Sequence, residues 1–311
     1  MRGSLLLACG AFFLLSGCDD VGGGSLAKSA TPEELMRIAV PGWAANGKQV
    51  VRQIATSGDS GAESLFVALT PAFVIKQAEN KITLIVTGSP TDADGSPLAG
   101  HSSQAVLGAY WFEKQGSHWI KLAEQANFGE EGYFGNPGSL RQVALSNDTV
   151  SLAVENGSCW QGSCLKGLTL YALGDKTITK VFSGEISSDT ENATASCSDL
   201  LKLAIGQSMR VPLENYSTYS GCRQITGTSK ILPSDSGPGQ LVIEYNGVTT
   251  VAKEVPISAE SKASYVNDGI TEDAPEQEYL VTIAPVRQKQ IYSFRNGRYV
   301  LVKGKNPNPG I

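Results

Sequence analysis

An all-β fold is predicted by three observations: a period of two in hydropathy, recurrent hairpin dipeptides, and little helical periodicity after the first forty residues. Ile82, Leu84 and Val86 alternate with Thr83, Ile85 and Thr87, while Leu168, Leu170 and Ala172 alternate with Thr169 and Tyr171. Such alternation suits strands with one face buried. Asn156-Gly157, Asn246-Gly247 and Asn296-Gly297 each stand between strand-like runs, the strongest short-range signal for a tight hairpin. Roughly 15 candidate strands follow one another at about 10–15 residue spacing. This spacing suits a small propeller-like fold, taken first, or one to two β-sandwiches. No repeated blade motif, Trp-Asp dipeptide or fixed glycine period supports the propeller directly.

Two short helices are expected. Thr31-Pro32-Glu33-Glu34 reads as a helix start, with Thr31 as N-cap, Pro32 at the first helical position and Glu34 completing a capping box. Leu35, Met36, Ile38 and Ala39 supply a buried side, and Pro41-Gly42 ends the helix. A second short helix is expected over Ser198 to Ile205. Residues 184–198, rich in Ser, Thr, Asp and Asn, read as a long loop or a subdivision of the 31–311 domain. Tyr110-Trp111-Phe112 falls inside a strand and reads as core.

At the N-terminus, Arg2 precedes an apolar run from Leu5 to Leu15, closed by Leu15-Ser16-Gly17-Cys18. The run is too short to span a bilayer, which takes about 20 residues. Its layout is that of an export signal, and its last four residues resemble the lipobox of bacterial lipoproteins. The resemblance implies cleavage after residue 17, with Cys18 acylated as the first mature residue. Two or more acyl chains would anchor the protein stably. It further implies, for an enteric Gram-negative host, that Asp19 and Asp20 act as an inner-membrane retention signal. Residues 18–30, with Gly22-Gly23-Gly24-Ser25, then form a tether reaching roughly 20 Å.

The chain carries 25 basic and 30 acidic side chains, a net charge of −5. Loss of Arg2 with the signal makes it one unit more negative. An acidic chain without a polybasic patch is unsuited to nucleic acid and leaves membrane attachment to the lipid. Four further cysteines, Cys159, Cys164, Cys197 and Cys222, form an even set in an exported chain, which favours disulfides. Sequence proximity pairs Cys159 with Cys164 and Cys197 with Cys222. The first pair encloses a tip where Gly162 takes a positive φ. A four-residue cysteine spacing without a nearby histidine does not suit zinc.

Catalytic patterns are limited by the two histidines, His101 and His118. Gly58-Asp59-Ser60-Gly61 resembles the nucleophile segment of chymotrypsin-like proteases and the first block of GDSL-type hydrolases. No histidine precedes Ser60, and none stands near the C-terminus, where those families place theirs. Gly100-His101-Ser102-Ser103-Gln104 resembles the nucleophile elbow of α/β-hydrolases, but Gln104 replaces the final glycine and a strand-like run follows. Ser163-Cys164-Leu165-Lys166 matches Ser-x-x-Lys in spacing but lies in the proposed disulfide hairpin. Asp92, Asp94 and Gly95 could open a calcium loop with His101 nearby, yet Ser103 stands where an EF-hand needs its bidentate glutamate. An Asp-Gly turn is the simpler reading. The sequence implies no cofactor and no metal.

The segment Asn127 to Gly138 is the candidate recognition loop. It combines glycines read as mobile, the carboxylates Glu130 and Glu131, and the rings of Phe128, Tyr133 and Phe134. Trp160, at the tip of the disulfide hairpin, is a second anchor, since exposed aromatics often anchor protein interfaces. The favoured function is a lipid-anchored, non-catalytic protein-binding or scaffold module of the cell envelope, facing the periplasm from the inner membrane. An inhibitor or immunity lipoprotein that blocks an enzyme is the alternative, and a hydrolase with an unrecognised site the third reading.

Overall fold

Helix α1 (Pro32–Ala39) starts as its sequence directs. Thr31 is extended and its hydroxyl accepts the Glu34 N–H at 3.3 Å. Glu34 departs from the expected capping box, because its carboxylate takes the Ser29 N–H at 2.8 Å instead of that of Thr31. The computed structural model describes residues 29–44, 49–58, 61–98, 100–219, 221–234, 237–267 and 275–308. Cys18, Asp19 and Asp20 lie outside these residues, as do Asp59 and Ser60 of the Gly58-Asp59-Ser60-Gly61 motif.

Fourteen strands among the described residues, all paired antiparallel, confirm the all-β expectation. They build two sheets rather than the blades of a propeller. The first is a meander of β1 (Val50–Gly58), β2 (Gly61–Ala78), β3 (Lys81–Thr91), β4 (Ala105–Gln115) and β5 (His118–Glu131), paired in that order. It curls into a half-barrel, so that the Asn127 amide on β5 donates to the Ala55 carbonyl on β1 at 3.0 Å. Helix α1 fills the concave side. Leu35 and Met36 pack there with Trp43, Leu84, Phe112 and Trp119.

The second sheet contains β6 (Ser139–Ala144), β7 (Val150–Trp160), β8 (Ser163–Leu173), β9 (Ile178–Asp189), β10 (Ser208–Pro212), β11 (Arg223–Leu232), β12 (Gln240–Pro256), β13 (Gln277–Arg295) and β14 (Arg298–Lys303). Its order is β10-β13-β12-β11-β9-β8-β7-β6, with β14 also on β13. The two sheets stack through an apolar layer in which Ile85, Leu107 and Trp111 meet Leu152, Val154 and Tyr171. Two glutamine amides staple the sheets at their margins. Gln142 exchanges hydrogen bonds with the Lys76 backbone at 3.1 and 3.3 Å, and Gln125 does so with Ile178 at 2.8 and 3.4 Å. Tyr110, Trp111 and Phe112 are buried as expected.

Of the three Asn-Gly dipeptides only Asn296-Gly297 makes a turn, joining β13 to β14. Asn156 pairs with Gly167 inside β7, and Asn246 with Arg287 inside β12. At the latter site glycine serves close packing: a Cβ on Gly247 would sit 2.0 Å from the Gln224 carbonyl oxygen. The polar stretch 184–198 is not one long loop. Its first part is β9, hydrogen-bonded to both β8 and β11 in the middle of the sheet. Helix α2 (Ala195–Leu200) begins three residues before the expected helix and ends well short of Ile205, where Gly206 turns the chain at φ +87°.

Both disulfides form as paired by proximity. Cys197–Cys222 ties α2 to the start of β11 within a small core of Leu200, Val211, Val281 and Ile283. It closes a separation of 25 residues and by chain entropy contributes roughly 3 kcal/mol. Two more short helices escaped the sequence reading, α3 (Tyr216–Tyr219) and α4 (Ala259–Asn267). The second had a local signal, since the Ser258 hydroxyl accepts the Ser261 N–H at 3.0 Å in the manner of an N-cap.

Candidate functional site

Three turns far apart in sequence meet at one end of the stacked sheets. The first follows β5, where Tyr133 and Asn136 pair across Phe134-Gly135 with bonds of 3.0 and 2.9 Å. Both turn residues take positive φ, which drives the Phe134 ring outward to 59% exposure. The turn is held from behind: the Gly135 N–H donates to the Ser103 carbonyl, and the Ser89 hydroxyl to the Gly135 carbonyl, each at 2.8 Å.

The second turn is the tip of the β7–β8 hairpin, closed by Cys159–Cys164. Gln161 and Gly162 both adopt positive φ, as expected for Gly162. Gly162 also lies against the chain after β9, where a Cβ would approach the Asn192 carbonyl oxygen to 1.8 Å. The tip is thus seated on that segment, and it presents Trp160 at 60% exposure.

The third turn carries His101. Its ring centroid is 4.7 Å from that of Trp160, 4.9 Å from Phe134 and 5.8 Å from Tyr133. His101 Nε2 and Ser158 Oγ, on β7, are 2.8 Å apart. This histidine therefore bridges the two aromatic anchors that were read separately in sequence. It does not join Asp92 and Asp94. Asp92 instead closes its own turn by accepting the Ser96 N–H at 2.7 Å. Among the described residues no three His, Cys, Asp or Glu side chains are grouped closely enough to hold a metal.

Phe128 and Glu131 do not belong to an exposed loop. Phe128 lies on β5 and packs edge-on against Tyr171, with centroids 5.1 Å apart, in the layer between the sheets. The neighbouring glycine is a packing device rather than a hinge. A Cβ on Gly129 would fall 2.2 Å from the Tyr171 hydroxyl, blocking its approach to Glu131. Glu131 is 5% exposed and accepts from Tyr171 Oη at 2.5 Å, Asn156 Nδ2 at 2.9 Å and Thr169 Oγ1 at 3.2 Å. Lys180 Nζ is 3.4 Å away. Burial, followed by the charge of Glu131, raises the Tyr171 phenol far above its ordinary value, so it remains a donor.

Beside the rings opens a polar cleft of about 200 Å³, lined by Gln104, Glu131, Tyr133, Asn156, Thr169 and Glu185 among others. Tyr133 is shared between ring cluster and cleft. On the opposite face of β7 from Asn156, Glu155 pairs with Lys166 at 2.7 Å and Arg141 at 3.1 Å. Burial pushes its carboxyl upward, but these two cations outweigh that and hold it below its ordinary value. Glu185 and Asn156 had no functional signal in the sequence, since only strand pairing brings them to Tyr133.

The nucleophile candidates among the described residues do not assemble. Ser102 sits in a turn leading straight into β4, without the strand before it and helix after it that an elbow requires. Ser163 and Lys166 lie along β8, with Lys166 committed to Glu155. Fold and site together define an antiparallel β protein of two stacked sheets that carries a preformed aromatic cluster beside a polar cleft. Comparison of the chain with known protein families, curated proteins and solved structures found no match.

Proposed function

We propose that this chain is a lipid-anchored protein of the cell envelope that acts without catalysis, holding a partner protein through His101, Tyr133, Phe134 and Trp160. The observation that carries this reading is the exposure of two large rings on turns that are themselves fixed. Phe134 and Trp160 stand 59% and 60% exposed, yet a disulfide, a seated glycine and backbone bonds hold their supports. Rings presented in this way lose little conformational freedom on binding, which favours affinity. Clustered aromatics of this kind commonly act as interface hot spots. The net charge of −5 argues against nucleic acid as the partner, and the lipobox-like sequence at Cys18 supplies the anchor.

Affinity capture with the full-length protein from detergent-solubilised envelope tests the surface. Trp160→Ala and Phe134→Ala should each weaken capture of the partner by about 2 kcal/mol or more, with melting temperatures close to that of the parent. A partner held equally by the parent and both variants rejects this surface. The anchor has its own test. Cys18→Ala should abolish detergent-phase partitioning or leave the signal uncut, and unchanged partitioning rejects the lipoprotein reading. With Asp19 and Asp20 intact, fractionation of an enteric host should place the protein in the inner membrane, facing the periplasm.

A further inference from the structure

The ring cluster and the cleft form one continuous surface through Tyr133, and the charges around it select the occupant. The cations on the strands that line the cleft, and on their neighbours, are already committed. Lys180 is paired with Glu131, and Lys166 and Arg141 with Glu155. Arg223 on β11 is buried and directs its guanidinium to the Ser188 hydroxyl and the Gly221 carbonyl. Glu185 lines the cleft; it feels the charge of Arg223, but no cation among the described residues lies within ion-pair distance of it. Asn156 gives its amide N–H to Glu131, which leaves its carbonyl oxygen as a further acceptor in the same cleft.

A half-buried carboxylate and an amide oxygen beside exposed ring faces are complementary to a cation. Aromatic faces attract guanidinium and ammonium groups, and opposite charges across an interface confer specificity. Arginine suits such a place better than lysine, because its planar fork donates to two acceptors while its flat face stacks on a ring. We propose that the cleft receives an arginine side chain from an extended segment of the partner protein, with the guanidinium against Glu185 and the adjoining residues on Trp160 and Phe134. This assignment rests on the binding reading above and names the chemistry of its partner.

Tryptophan fluorescence can test it, because Trp160 is exposed while Trp43, Trp111 and Trp119 are 6%, 2% and 6% exposed. The full-length protein in detergent is titrated with a peptide of alternating glycine and arginine, with the same peptide carrying neutral citrulline, and with a chitin oligosaccharide. The arginine peptide should shield Trp160 from acrylamide, and added salt should weaken its binding. Citrulline should give little shielding. Glu185→Gln should weaken the arginine peptide roughly tenfold or more without moving the melting temperature. Equal shielding by both peptides, or by neither, overturns the assignment, as does an unaltered affinity in Glu185→Gln. Shielding by the oligosaccharide alone overturns it in favour of a glycan. The salt dependence of the parent protein decides the matter even where the variant folds poorly. A partner whose capture needs Trp160 and Phe134 but not Glu185 removes this inference and leaves the binding reading standing. Capture that ignores the rings removes both.

Discussion

Glu131→Ala is expected to destabilise the protein by about 3 kcal/mol or more, measured by urea unfolding. The truncation leaves the hydroxyls of Tyr171 and Thr169 and the amide of Asn156 without the acceptor they share, and a buried donor left unpaired costs about 1–3 kcal/mol. Lys180 adds less, because its side chain is half exposed and recovers hydration. Glu131→Gln should recover part of the loss, since the amide oxygen still accepts from Tyr171 while the amide nitrogen opposes the remaining donors. A loss below about 1 kcal/mol for the alanine variant would mean that water from the cleft replaces the carboxylate, and that the network does not hold the sheets in place.

Phe128→Ala should cost about 3 kcal/mol, the low end for a buried phenylalanine, because its ring lies only partly buried against Tyr171. Phe134→Ala, six residues further on, should leave the melting temperature nearly unchanged. Thermal melts of the two variants therefore separate a ring that packs from a ring that is displayed. Similar melting temperatures for both would contradict the placement of one or the other. The contrast also places Phe128 in the packed layer, outside the proposed binding surface.

The candidate site was legible in sequence in its ingredients, not in its arrangement. Trp160 was readable because cysteines five residues apart around a glycine dictate a tip. Tyr133 and Phe134 were readable from the glycine and asparagine that surround them. The same glycine-rich pattern misplaced Phe128 and Glu131, since glycine permits mobility and close packing alike. At Gly129 it serves packing against Tyr171, a residue 42 positions later in the chain. His101 was identified as a residue of interest, but its role as the bridge between the two anchors was not.

What the sequence by itself determined is what short-range physics controls. The cap and apolar side of α1, the period of two in the strands, the Asn296-Gly297 turn and the pairing of neighbouring cysteines all depend on groups a few residues apart. Tertiary structure alone decided the rest. Two stacked sheets, rather than a propeller, follow from which strand faces bury against each other, and alternation leaves that choice open. Asn156-Gly157 remained inside a strand because β8 continued the ladder past it on one side, and Asn246-Gly247 because β11 and β13 continued it on both. The meeting of His101, Tyr133, Phe134 and Trp160, and the placing of Glu185 beside them, required β5, β7, β8 and β9 to come together across the sheet interface. Such convergence is a property of long-range packing, to which no local pattern in the chain corresponds.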